Sequence, residues 1–182
     1  MAITLTVEDG SIVASANCYI DETYLATYAE DRGLTINADA EIQKAQIIKA
    51  TDYLEAFRKR YQGEKTDPLN QELQWPRTDV VFDSTVVLGD DVIPEVLKKA
   101  QAQLVIEQEA GVKLFPDAID ETTITGPIKK RAVGPLVREF HNPLKENIVT
   151  KINPQKPVPI ASVMSLLEPL FKQGSFLSAM RV

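Results

Sequence analysis

The placement of proline sets the first limit on this chain. Seven of its eleven prolines fall after Gly126, so the C-terminal third reads as extended chain broken at Gly126-Pro127 and Gly134-Pro135. Charge divides at the same place. Residues 1–125 carry 11 Lys and Arg against 23 Asp and Glu, whereas residues 126–182 carry 9 against 3. A split of that size predicts two parts with different work: an acidic helical body over residues 1–121 and a basic, proline-rich arm over residues 122–182.

Within the body, residues 3–7 alternate Ile3, Thr4, Leu5, Thr6, Val7, the period of a short half-buried strand, and Glu8-Asp9-Gly10 ends it in a turn. Asp21 is placed to cap a helix running to about Arg32, with Tyr24, Leu25 and Tyr28 inside and Gly33 just past its end. From Ala40 to about Arg58, apolar residues recur in steps of three and four at Ile47, Ala50, Leu54 and Phe57, continuing to Tyr61. Residues 62–91 read as loop, broken by Gly63, Pro68, Pro76 and Gly89. Ile93-Pro94-Glu95 opens a third helix whose inner stripe is Leu97, Ala100 and Leu104. Amphipathic helices of this length cannot bury their faces alone, so a small bundle is expected.

In the arm, Ile128, Val133, Leu136, Val137 and Phe140 suggest a β-hairpin or a longer β-arm. Residues 153–159 read as polyproline II chain. A short amphipathic segment comes next, with Val163, Leu166, Leu167 and Leu170 on one face. The fold class expected is mainly α: a small helical bundle with a short N-terminal strand, a β-hairpin or extended β-arm, and a long C-terminal arm. On this division, a chain cut after Pro159 keeps its helical body.

Several classes of chemistry lack their parts. The one histidine, His141, and the one cysteine, Cys18, cannot assemble a nitrogen- or sulfur-rich metal site. No phosphate-cradling glycine loop and no nucleophile elbow is present. No enzyme, cofactor or metal is expected. No run approaches the roughly 18 apolar residues needed to cross a membrane, and no secretory leader is visible, which points to synthesis in a reducing cytoplasm.

Binding chemistry is better supplied. Lys129, Lys130, Arg131 and Arg138 put four cations in the extended arm. Lys172, Phe176, Leu177, Met180 and Arg181 give the last segment apolar anchors flanked by positive charge. An arm of one sign beside a body of the other favours head-to-tail association, which closes into a ring when the rotation permits. Trp75, in Gln74-Trp75-Pro76-Arg77, is read as a structural anchor for the long loop. The alternative is a base-stacking residue beside Arg77, which with Lys129–Arg131 would make a single-stranded-DNA site. A pI near 4.9 weighs against a nucleic-acid module.

Short motifs along nearly the whole chain carry a resemblance. They are Val7-Glu8-Asp9-Gly10, Ala16-Asn17-Cys18-Tyr19, Ala50-Thr51-Asp52-Tyr53-Leu54, Gln74-Trp75-Pro76-Arg77, Ile93-Pro94, Val133-Gly134-Pro135-Leu136 and Leu166-Leu167-Glu168-Pro169-Leu170. In order and spacing the chain resembles the head-to-tail connector adaptors of tailed bacteriophages, with Cys18 where that family usually has serine. Chains of this type are often labelled DnaT-like single-stranded-DNA-binding proteins. The resemblance implies a structural virion protein at the head–tail interface. It would form a ring of twelve neighbouring copies, bind the portal protein through its C-terminal arm and receive tail or tail-completion proteins. DNA would pass through the channel without specific binding. The competing reading is a replication accessory protein that binds single-stranded DNA.

Overall fold

The computed structural model describes residues 2–82, 86–115 and 157–172, together with the backbone of 130–133 and 136–139. Four α-helices and a single 3-10 turn dominate it: α1 (Glu22–Glu30), α2 (Ala40–Glu55), α3 (Glu95–Glu109) and α4 (Ala161–Leu167), the last running into a 3-10 turn at Glu168–Leu170. Three short antiparallel pairs complete it: β1 (Glu64–Lys65) with β2 (Arg77–Thr78), β3 (Val81–Phe82) with β4 (Val86–Val87), and β5 (Lys130–Val133) with β6 (Leu136–Glu139). The architecture is mainly α with some strand.

Local chemistry accounts for the helix ends. The Asp21 carboxylate accepts from the Tyr24 N–H and the Asp39 carboxylate from the Glu41 N–H, each taking up one donor that the first turn leaves without a partner. Gly33, at φ +62°, closes α1 in the left-handed conformation that a side chain disfavours. Pro94 stands as the residue before α3, where its missing N–H leaves nothing unpaired. Helix α2 stops at Glu55, three residues short of the periodic pattern. The chain continues through tighter turns, with Phe57, Arg58 and Arg60 each donating to the carbonyl three residues back.

Helix α3 is the element the others share, packing against α1, α2 and α4. Leu97, Ala100, Gln101, Leu104 and Val105 are its buried stripe, at helical spacing. The buried residues of α2 include Ile47, Ala50, Tyr53 and Leu54, and those of α1 are Leu25, Tyr28 and Ala29. Among the described residues no helix is long and apolar enough to cross a membrane.

Two expectations change here. Residues 3–7 form no strand: their one ladder contact is an isolated parallel bridge between Val7 and Cys18. The reason is Asn17. Its amide donates to the Thr4 carbonyl and accepts from the Thr6 N–H, taking the place of strand partners on either side. Gly10 ends this segment pressed against α3's approach; a Cβ there would sit 1.8 Å from the Asp91 carbonyl oxygen, and its φ is +109°. A bulkier residue is excluded by both.

The terminal helix, grouped by sequence with the arm, lies in the core of the body. Val163, Leu167 and Leu170 are fully buried, and Met164 and Phe171 nearly so. The Phe171 ring packs against Phe57 and Tyr61 at 5.9 and 5.5 Å between centroids. Residues 60–62 and 170–172 run antiparallel: Gln62 N–H donates to the Leu170 carbonyl and Lys172 N–H to the Arg60 carbonyl. A cut after Pro159 therefore removes part of the core, contrary to the expectation from charge and proline alone. Leu167→Ala should cost about 2–5 kcal/mol, as buried leucine truncations do. The cut chain should show no cooperative unfolding transition in urea monitored by circular dichroism. A cut chain that unfolds with the parent's midpoint would contradict this packing.

Candidate functional site

Two places in the molecule bear on function: the loop around Trp75 and the base of the β5–β6 arm. The loop is built on buried polar contacts, because a long connection packed on a core must find partners for its backbone groups. Trp75 is completely buried, with its ring edge-on to Tyr61 at 5.5 Å. Its backbone N–H and that of Gln74 both donate to the Tyr19 hydroxyl, at 3.3 and 3.2 Å. That hydroxyl in turn donates to Glu55 Oε1 at 2.6 Å, and the Gln74 N–H reaches the same oxygen at 3.1 Å. Gln71 secures the other side by donating to the Leu73 and Pro76 carbonyls.

Arg77 is spent in the same loop. Its Nε donates to the Gln62 carbonyl at 2.7 Å, Nη2 to the Gly63 carbonyl at 2.6 Å, and Nη1 to the carbonyl and side chain of Gln74. Only 6% of the residue is exposed. A base cannot stack on Trp75 or pair a phosphate with Arg77 without dismantling this cluster. Trp75 is thus enclosed between the loop and the core, and so is Arg77, which the sequence did not distinguish from a binding residue.

Burial sets the ionisation of the cluster. Desolvation raises the Glu55 carboxyl above its usual 4.5, although the hydrogen bonds from Tyr19 and Gln74 pull the other way. Burial, and then the charge of Glu55, push the Tyr19 hydroxyl well above 10.

The basic candidates of the arm fall differently. Lys130 and Arg131 lie on β5 and Arg138 on β6, with Arg131 opposite Arg138 and Lys130 opposite Glu139 in the register. Among the described elements, β5 and β6 pair only with each other. Among the described residues, the two ends of the arm meet the body at one place. The Val158 N–H donates to the Leu114 carbonyl at 3.0 Å, and the Tyr53 hydroxyl donates to the Val158 carbonyl at 2.6 Å. The chain between Phe115 and Pro157 thus leaves and rejoins the body at a single point between α3 and α4. Lys172 sits exposed at the end of the described tail. Lys129, His141, Phe176, Leu177, Met180 and Arg181 lie outside the described residues.

One surface was not legible as a site. Residues 81–87, read as loop, contain the β3–β4 ribbon, in which Val81, Val86 and Val87 are 38%, 55% and 71% exposed. The paired valines in Val80-Val81-Phe82 and Val86-Val87 were the available hairpin signal. Elsewhere, an open groove of about 760 Å³ runs along Ile42, Gln46, Lys49, Gln108 and Phe115. Among the described residues, no group of three or more His, Cys, Asp or Glu is placed to hold a metal ion.

A mainly helical body, with its loop tryptophan locked inside and a basic two-stranded arm, is the class of protein that fold and site define. The chain belongs to the family described as "putative DnaT-like ssDNA binding protein", whose model matches residues 3–182. No curated protein and no solved structure matches it.

The Glu55 cluster makes a pH prediction. Because the folded chain holds the Glu55 proton more tightly than the unfolded chain, its contribution to stability is full below the unfolded value and is lost as pH rises through the folded value. Glu55→Gln keeps the acceptor and abolishes the titration. Urea unfolding should therefore show the variant gaining on the parent as pH rises above the usual 4.5. A difference that stays constant, or a parent that gains on the variant as pH rises, would mean that the carboxylate is stabilised where it sits.

Proposed function

We propose that this chain is a structural adaptor of the phage head-to-tail connector, assembling as a ring that binds a portal through its C-terminal residues. The observation that carries this reading is the arm. A segment that starts and ends at one point of an acidic body is suited to reaching a neighbouring protein. Residues 116–156 carry 7 Lys and Arg against 5 Asp and Glu, while residues 1–115 carry 11 against 20, so each copy offers both signs to the next. The order of sequence motifs along the whole chain supports the same reading. Within it, Lys129, Lys130, Arg131, Arg138, Lys172 and Arg181 would meet acidic partner groups, and Phe176, Leu177 and Met180 would be apolar anchors.

The family description favours a second reading, a binder of single-stranded DNA. The burial of Trp75 and Arg77 removes the stacking platform such a site would use, and leaves only the cations of the arm. Those would give weak, strongly salt-dependent binding.

The two readings separate in one set of measurements on the full chain. The adaptor reading expects rings by electron microscopy, in the purified protein or in virions between head and tail. It also expects no shift in the anisotropy of a labelled oligothymidine at low salt. A tight complex with the oligonucleotide, weakened by Lys130→Glu and Arg131→Glu, together with an absence of rings, would replace the adaptor by the DNA binder.

A further inference from the structure

We infer that the β3–β4 ribbon is the surface on which the β5–β6 hairpin of a neighbouring copy docks. This names the contact between copies and rests on the ring reading above.

Three observations lead to it. The first is apolar exposure. Val86 and Val87 are among the most exposed large apolar residues described, and with Val81 they form one short ribbon. The Val81 N–H on β3 already donates to the Gln62 side chain, so an added strand would pair along β4. The second is charge. From Thr78 to Leu97 the chain has five acids, Asp79, Asp83, Asp90, Asp91 and Glu95, and no Lys or Arg. Asp79, Asp90 and Asp91 are exposed. The hairpin carries Lys130, Arg131 and Arg138 against the single acid Glu139, and its register sets Arg131 opposite Arg138. Like charges facing each other in a ladder are unfavourable alone and gain from an acidic partner. The third is reach. Fourteen residues separate Phe115 from Lys130. At about 3.3–3.6 Å per residue they span at most roughly 50 Å. A compact domain of this size is roughly 40 Å across, so the hairpin can meet the next copy.

Other surfaces argue less well. The groove by Phe115 has no charge pattern that selects an occupant, since Glu41 and Lys49 both line it. Leu69 is 93% exposed but stands alone in its turn.

The test uses two full-length variants, Val87→Cys and Ala132→Cys. The native Cys18 does not interfere: it is fully buried and burial pushes its thiol up to about 12. Under mild oxidation, the mixture of the two variants should give a disulfide-linked dimer that neither gives alone. A crosslink confined within one chain of the Val87→Cys/Ala132→Cys double variant would overturn the inference, because the arm would then lie on its own body. So would a dimer from Val87→Cys alone, which would mean ribbon against ribbon. A second experiment reverses charge: Asp90→Lys/Asp91→Lys should lower self-association by at least about tenfold, and Lys130→Glu/Arg131→Glu/Arg138→Glu copies mixed with it should restore the contact. Rings without the crosslink would sink this contact and leave the adaptor reading standing. The crosslink without rings would keep the contact and sink the ring. Absence of both would remove the two together.

Discussion

The fold depends on placing hydrogen-bond partners inside the body for segments that are not helices. Gln101 is the central case. Completely buried on α3, it accepts from the Tyr19 N–H at 3.0 Å and donates to Thr51 Oγ1 at 2.8 Å and the Ile47 carbonyl at 3.2 Å. One amide thereby joins the N-terminal segment, α2 and α3. Glu8 does the same for the turn before it: its buried carboxylate accepts from the N–H groups of Gly10, Ile12 and Val13. Left without such partners, buried peptide groups would each cost about 1–3 kcal/mol. With them, long loops can be as fixed as helices.

That economy explains why the loop around Trp75 is closed to ligands. Arg77, Tyr19, Glu55 and Gln71 use their polar atoms on backbone groups of the same loop, and Trp75 and Tyr61 fill the space between. What the body leaves exposed is the valine ribbon with its neighbouring acids Asp79, Asp90 and Asp91.

Much of this was readable from residues alone, for definite reasons. Helices α1, α2 and α3 announce themselves by apolar spacing and by caps at Asp21, Gly33 and Pro94, which are local signals. What escaped detection is non-local. Nothing near Gln101 marks it as the partner of Tyr19, 82 residues away. The assignment of residues 160–171 to the arm failed for a related reason: charge and proline mark where a segment differs in composition, while its stripe of Val163, Leu167 and Leu170 fits equally a partner's surface or its own core. The strand expected at residues 3–7 had the right alternation, but the Asn17 side chain took the bonds a ladder would have made.

The position of α4 also orders events in time. The body assembled from residues 2–115 lacks Val163, Leu167, Leu170 and Phe171, so its core stays open on that side while the chain is being made. Closing it requires the whole of residues 116–156 to have emerged first, and a loop of that length adds little to the entropic cost of closure. Residues 116–156, the β5–β6 hairpin among them, are therefore always made before the body is sealed.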